Sequence, residues 1–248
     1  MTQDGDTEVK QPHILASEGD INQTVLVPGD PDRVDRIAER LEDVEVVSHN
    51  REYRLVNGVY DGEPVTVCST GVGSPSAAVA VEELVKIGAE TLIRPGTTGG
   101  LQEDVTTGDV VIPTASAKYE GTTKRYEDVE YPAVPSLGVT NALVDAADEG
   151  GHEVHVGSVV TDDAFYAEDE PARDWEEAGM LSVEMEASAL FTLARRRGVR
   201  AGAVLAVDGN LVAGEQKGET EDDDELPEEA RAGVGRIIEI ALEAAKRV

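Results

Sequence analysis

The sequence predicts a single α/β domain with a central mixed β-sheet flanked by helices. Three observations carry that expectation. Short apolar runs rich in β-branched residues alternate with longer amphipathic stretches from residue 25 onward. No Pro/Gly-rich linker interrupts the alternation, and no internal repeat organises it. A chain of 248 residues is also long enough to bury one large core.

Residues 1–12 are polar and read as a loosely held tail, leaving 13–248 for the domain. Val25-Leu-Val27 reads as a buried strand and Pro31–Leu41 as a helix, with proline where a helix begins. Val65–Ser69 is a second strand. Pro75–Ile87 is a helix opened by Ser74-Pro75 and closed by Gly88. Thr91-Leu-Ile93 and Asp109–Pro113 continue the strand series. Asn141–Ala147 reads as helical, Val154–Val160 as extended and Glu170–Ala178 as helical. Glu184–Arg197 reads as a helix whose three terminal arginines, before Gly198, suit its dipole. Ala201–Val207 is the last strand and Leu226–Val248 a closing amphipathic helix. The acidic Gly214–Glu225 stretch before it reads as a solvated loop, with a mobile flap as the alternative.

Charge narrows the function classes. With 51 acidic and 21 basic residues the net charge is −30, a surface that repels nucleic acid and anionic membranes. Such an acidic, lysine-poor coat resembles that of proteins from salt-loving organisms, where screening removes most self-repulsion. No apolar run approaches membrane-spanning length, and the start Met-Thr-Gln-Asp-Gly-Asp lacks the basic and apolar regions of a signal peptide. A cytoplasmic location is therefore expected. The one cysteine, Cys68, excludes an intramolecular disulfide and a cysteine-based zinc cluster. Its place in Val65-Thr-Val-Cys68 makes it a buried strand residue rather than a nucleophile.

Three glycine-bearing segments follow apolar runs: Gly29-Asp-Pro-Asp-Arg33, Ser69-Thr-Gly-Val-Gly-Ser-Pro-Ser76 and Arg94-Pro-Gly-Thr-Thr-Gly99. Glycine lets backbone N–H groups approach a ligand, hydroxyls add donors, and arginine supplies a charged fork for an oxyanion. Ordinary strand-to-helix turns need glycine too. Two arginines set against so negative a background favour a small phosphate site.

These segments resemble, in order, those of the nucleoside phosphorylase I family, and within it the uridine phosphorylase branch. The likeness runs through Val27-Pro-Gly-Asp-Pro-Asp-Arg33-Val, Ser48-His-Asn-Arg-Glu-Tyr53, Val67–Ser76, Ala80-Val-Glu-Glu-Leu84 and Leu92–Gly99. It resumes at Asp163-Ala-Phe-Tyr166 and Val183-Glu-Met-Glu-Ala187. The resemblance implies cleavage of a ribosyl C–N bond by inorganic phosphate, giving free base and ribose 1-phosphate in salvage or catabolism. It implies phosphate contacts from the Gly29 backbone, Arg33, Arg94 and Thr97, with Arg51 reaching in from a neighbouring subunit. Asn50 interrupts the His-Arg-Glu pattern beside that arginine. For ribose it implies Met185, Glu186 and, across a dimer interface, His13. For the base it implies Phe165, with Tyr166 at the rim. Glu52, Val72 (through its carbonyl) and Ser76 match positions that hold a monovalent cation, so potassium is the one ion implied; no organic cofactor is. Relatives assemble as hexamers, trimers of dimers.

The match breaks at the base. Uridine enzymes read uracil with a glutamine and an arginine just after the Phe-Tyr pair, where this chain has Ala167-Glu-Asp-Glu-Pro171. A segment of roughly a dozen residues before Glu-Met-Glu is also missing, as in the purine branch. That branch carries Ser-Asp after the last strand, the aspartate protonating purine N7. Here Val207-Asp208-Gly209-Asn210 offers Asp208 one place early, either as a general acid or as the head of an Asp-Gly turn. The body of the chain is therefore uridine-like and the base pocket is not. A nucleosidase of the same fold has no use for Arg33 and Arg94. A non-catalytic nucleoside binder needs Phe165 and Glu186 but not the arginines. A dinucleotide oxidoreductase fits worse, because Gly71-Val-Gly73-Ser-Pro-Ser76 ends in serine.

Overall fold

β1 (Thr24–Leu26) lies between β4 (Glu63–Cys68) and β5 (Thr91–Gly100), parallel to both, in a computed structural model that describes residues 9–168, 170–214 and 227–248. Beyond β4 the sheet continues antiparallel through β3 (Tyr53–Tyr60) to the edge strand β2 (Glu42–Asn50). On its other side β5 pairs parallel with β9 (Arg200–Asn210) and antiparallel with β8 (Ser182–Glu184). β8 pairs with β7 (His155–Asp162), β7 with β6 (Val110–Tyr119), and β6 returns to β9. β5, β8, β7, β6 and β9 thus close into a ring, which leaves none of the five as an edge.

Helices cover both faces. α2 (Ser74–Lys86) and α5 (Ala187–Arg197) pack on one side, where Leu84, Leu92, Leu190, Phe191 and Leu205 share a core. α1 (Pro31–Ala38), α3 (Leu137–Glu149) and α6 (Glu228–Ala245) pack on the other, around Ile37, Ile93, Leu143, Val204, Ile237 and Leu242. Neighbours Leu92 and Ile93 enter opposite cores, as the two-residue period of a strand buried on both faces requires. A short α4 (Ala172–Glu177) seats Trp175 in a third, smaller cluster with Leu101 and Val183.

The expected mixed-sheet α/β architecture is what forms, with four local corrections. β2 and β3 are strands where the sequence reading placed none: the first five residues of β2 are exposed, so its short Val44-Glu45-Val46 alternation faces water and not a core. β5 does not stop at Ile93 but runs ten residues to Gly100, paired with β9 nearly throughout. The third glycine-bearing segment is therefore strand, not loop. β9 likewise runs to Asn210, so Asp208-Gly209 is extended and no Asp-Gly turn forms. The helix expected from Glu184 starts at Ala187, because Ser182–Glu184 is drawn into the ring between β5 and β7. Residues 1–8 of the expected tail, and 215–225 of the expected loop or flap, lie outside the described residues.

Cys68 ends β4 fully buried, and burial pushes its thiol pKa up to about 12. The folded protein is therefore expected to resist a thiol reagent such as dithionitrobenzoate at neutral pH, and to release one equivalent of chromophore only on unfolding in guanidinium. Rapid labelling of the native protein would contradict this burial.

Candidate active site

Two loops and one strand build the floor of a cleft. After β1 the chain passes through Pro28-Gly29 into α1, whose start is capped by Asp30: its Oδ1 accepts from the Asp32 N–H at 2.9 Å. After β4, Thr70 N–H donates to Pro28 O (2.8 Å) and Gly71 N–H to Gly29 O (2.9 Å), which zips the two loops together. Gly71 has φ +71°, and a Cβ there would lie 2.5 Å from Ser76 Oγ, so this position accepts only glycine. Arg94 comes from β5. Its guanidinium lies back along the strand over Gly96, where a Cβ would be 2.9 Å from Arg94 Cζ. Gly96 in the third segment thus makes room for a side chain rather than for a turn.

Arg94 and Arg33 are both buried, at 5% and 8% exposure. Arg94 Nε donates to Glu184 Oε2 at 3.3 Å, and Nη2 is bonded to the Glu186 carboxylate. Burial opposes its charge, but Glu186 and Glu184 outweigh that and hold its pKa above the ordinary value. Its third nitrogen, Nη1, is buried without a hydrogen-bond partner and lies on the Gly29 side, 3.6 Å from where a Cβ would stand. Arg33 Nη1 makes one long contact, to Pro95 O at 3.4 Å, and its Nε has no partner. Burial, and then repulsion from Arg94, lower the Arg33 pKa to about 10, with Asp30 and Asp208 partly offsetting them. Two guanidiniums thus repel each other at one end of the cleft while each withholds a buried N–H. An unsatisfied buried donor costs about 1–3 kcal/mol, a cost that an anion bonded to both would remove.

The two glutamates of Glu184-Met185-Glu186 divide their work. Glu184 is buried and accepts from Thr161 Oγ1 (2.7 Å) and from the N–H groups of Glu186 and Ala187 (both 2.9 Å), as well as from Arg94. It closes the N-terminal end of α5 as well as pairing with Arg94. Burial raises its pKa, with Arg94, Thr161 and the Glu186 N–H pulling the other way. Glu186 instead reaches the cleft, holding Gly73 N–H at 2.5 Å through Oε1 and Arg94 through Oε2.

The cleft has a volume of about 530 Å3. Its lining includes Gly29, Arg33, Arg94, Thr97, Phe165, Met185, Glu186 and Asp208, so the expected phosphate, ribose and base residues of one chain meet in a single cavity. Phe165 sits on the short helical turn Phe165–Ala167 after β7, beside Tyr166, which is 98% exposed at the rim. Asp208 enters from β9 at 8% exposure. Glu52 and Val72 also line the cleft, and Ser76 Oγ bonds Glu52 Oε1 at 3.0 Å.

His13 and Arg51 are not brought in. Glu83 grips His13 through its backbone N–H (3.0 Å) and Nδ1 (2.6 Å) and lines a second cavity with it. Arg51 sits at the tip of the β2–β3 hairpin with φ +56°. The inserted Asn50 ties the two together, its Nδ2 donating to His13 O at 2.7 Å, so both are displayed on one outer edge. The sequence reading missed Thr161 and the part played by Gly96. A hydroxyl inside a strand and a glycine two places after an arginine carry no signal until their neighbours are known.

Residues 23–245 match the sequence profile of the Phosphorylase superfamily. The chain belongs to that superfamily. It is 57% identical over 236 residues to a guanosine phosphorylase of Halorubrum lacusprofundi, covering 95% of this chain and 98% of the relative. Two solved structures superpose over nearly the whole chain. Uridine phosphorylase of Vibrio fischeri has a TM-score of 0.87 at 33% identity, covering 98% of this chain and 100% of that one. Purine nucleoside phosphorylase of Toxoplasma gondii in complex with immucillin-H has 0.88 at 32%, covering 99% and 97%. The family resemblance read from the glycine segments is borne out, and so is the fold it implied.

Arg94 is the only cation paired with Glu184 and Glu186 among the described residues. Arg94→Ala leaves two buried carboxylates facing each other, and breaking such a pair costs about 3–5 kcal/mol. Glu184 has its folded pKa above its unfolded one, so its contribution to stability is full below the unfolded value and is lost as pH rises. Without Arg94 that loss is steeper. The deficit in Tm of Arg94→Ala against the wild type is expected to widen between about pH 5 and about pH 8. A constant deficit across a calorimetric pH series would contradict the assignment.

Proposed function

We propose that the chain catalyses phosphorolysis of a 6-oxopurine nucleoside, guanosine or inosine, releasing the base and ribose 1-phosphate. The enzyme class, a pentosyltransferase of nucleoside phosphorylase type, follows from the family. The observation that carries the reaction is the pair of buried guanidiniums with unpartnered N–H groups, in the same cleft as a carboxylate suited to a sugar diol. A hydrolase or a simple nucleoside binder gains nothing from that pair.

In this reading phosphate lies on Arg33, Arg94, Thr97 and the Gly29 backbone. A phosphate oxygen attacks C1′ as the C1′–N bond breaks, and the bonding pair leaves with the base nitrogen. Charge building on the sugar is positive, so the phosphate stabilises it as well as attacking it. Glu186 accepts from the ribose hydroxyls, Met185 packs on the sugar, and Phe165 stacks on the base. Asp208 supplies the proton or hydrogen bond that the departing purine needs at N7. Three observations support the purine reading: Asp208 is in strand and in the cleft, the uracil-reading Gln/Arg pair is missing, and the guanosine phosphorylase relative is similar over its length. Uridine is the second reading, favoured by the uridine-type motifs along the body of the chain and by the superposition on a uridine phosphorylase.

His13 and Arg51, linked on an outer edge, suit the sites of a neighbouring copy, with a dimer as the minimal unit and a hexamer as the full assembly. The potassium site needs such a neighbour as well. One chain gives Glu52 and Ser76, already bonded to each other, and the Val72 carbonyl, fewer oxygens than the ion takes.

The test is to incubate the protein in molar KCl, which screens the −30 charge, with guanosine, inosine, adenosine and uridine, with and without phosphate. Base and ribose 1-phosphate are expected from guanosine and inosine only when phosphate is present; equal release without it would sink the transferase. Asp208→Asn is expected to lower kcat for the purine nucleosides by about 10²- to 10⁴-fold, with phosphate KM little changed. Steady-state kinetics on both substrates reads the split, and an unaltered kcat removes Asp208 from the proton transfer.

A further inference from the structure

Behind the cleft stands a buried hydroxyl pair to which the reaction above assigns no task. Thr161, on β7, is fully buried, and Ser116, on β6, nearly so; their hydroxyl oxygens are 2.7 Å apart. Thr161 Oγ1 is 2.7 Å from Glu184 Oε1 and also accepts the Ser188 N–H at 2.9 Å. A hydroxyl has one hydrogen and two acceptor sites. Glu184 receives from Arg94, Glu186 N–H and Ala187 N–H, the surroundings of an ionised carboxylate, so the Thr161 hydrogen goes to Glu184. Its two acceptor sites then take the Ser188 N–H and, by elimination, the Ser116 hydroxyl. Every hydrogen-bonding site on Thr161 is filled, and its orientation is fixed.

That fixity is passed on. Glu184 holds Arg94 at Nε, and Glu186 holds it at Nη2, the two nitrogens along one edge of the guanidinium. The group is planar and rigid, so anchoring one edge determines where the opposite corner, Nη1, points. Nη1 is the buried nitrogen without a partner, on the Gly29 side. We infer that Thr161, braced by Ser116, is a positioning residue that aims Arg94 at the phosphate by holding Glu184. The inference rests on the phosphorylase reading of the cleft. Thr161 touches no substrate and acts through two intervening side chains.

Thr161→Val keeps the shape and removes the hydroxyl, leaving Glu184 Oε1 held by the Ala187 N–H alone. The expected result is a rise of about tenfold in the Kd of inorganic phosphate measured by calorimetry, the loss that follows from one hydrogen bond to a charged group. The KM for phosphate rises in parallel and the nucleoside KM by less than about threefold; Thr161→Ser restores both phosphate constants. Ser116→Ala, which removes only the brace, gives a smaller rise in the same constant and decides the matter should the valine variant not fold. A fall in Tm with phosphate affinity unchanged overturns the inference and leaves the phosphorylase reading standing. Equal rises in phosphate and nucleoside KM overturn it also, because they report general disorder. A wild-type protein that binds no phosphate overturns both.

Discussion

A single arginine pinned between two buried carboxylates holds the cleft together. Arg94 spends Nε on Glu184 and Nη2 on Glu186, and both acids are almost wholly buried. Removing three charges from water is costly, and the mutual attraction offsets that cost only where geometry is good and the remaining valences are filled. Glu184 is filled by backbone N–H groups and Thr161, while Glu186, bonded to Gly73 N–H, keeps acceptor sites toward the cleft. The nitrogen of Arg94 left open, Nη1, faces the Gly29 loop. The triad also joins otherwise separate parts, since it ties β5 to β8, the start of α5 and the loop before α2. The ring of five strands supplies this geometry, because β8 can deliver Glu184 beside Arg94 only when inserted between β5 and β7.

Much of this was legible in the chain and some of it was not, for physical reasons. The α/β alternation was readable because strands buried on both faces are continuous apolar runs and the helices carry apolar stripes. β2 was missed because its short Val44-Glu45-Val46 alternation lies among acidic residues and buries no face. Arg33, Arg94 and Glu186 were identifiable from motifs, but the task of Glu184 was not, because its partners Arg94 and Thr161 are distant in sequence. The end of β8 buries Glu184 under the N–H groups of Glu186 and Ala187, and the start of α5 leaves Glu186 in the cleft. The Asp-Gly pair at 208–209 misled because turn chemistry is a local preference, whereas pairing of β9 with β5 continues as far as Asn210 and overrides it. His13 and Arg51 lie beyond any single-chain reading, for they face outward.

The charge distribution follows from the same constraint. Fifty-one acidic residues make a field that repels phosphate, and salt screens such a field over distances beyond about 10 Å. Buried guanidiniums inside a cleft are screened far less. The site therefore keeps its positive end at salt concentrations that quiet the surface, provided the arginines stay buried. Exposed pairs such as Arg197–Glu82 and Arg247–Glu149 contribute little under those conditions. Salt thus acts on the exposed charges far more than on the buried guanidiniums.

Glycine in β5 is the structural counterpart of that burial. In a strand interior glycine is less stable than alanine by roughly 0.5–1 kcal/mol, and β5 carries three. At Gly100 the obstacle to a side chain is backbone, and at Gly96 it is the ends of the Arg94 and Leu205 side chains, which would have to shift. A Cβ on Gly96 collides with the Arg94 guanidinium, and one on Gly100 comes within 2.5 Å of Val105 O. The first lets a long charged side chain fold back along its own strand instead of reaching for solvent. The second lets the backbone approach that seats Asn210, which bonds Gln102 O and Val105 O at 2.8 Å and ends the strand carrying Asp208. What the sequence offers as a glycine-rich loop for cradling an anion is a strand thinned at chosen points. The missing Cβ atoms let in Arg94 at one point and Asn210 at the other.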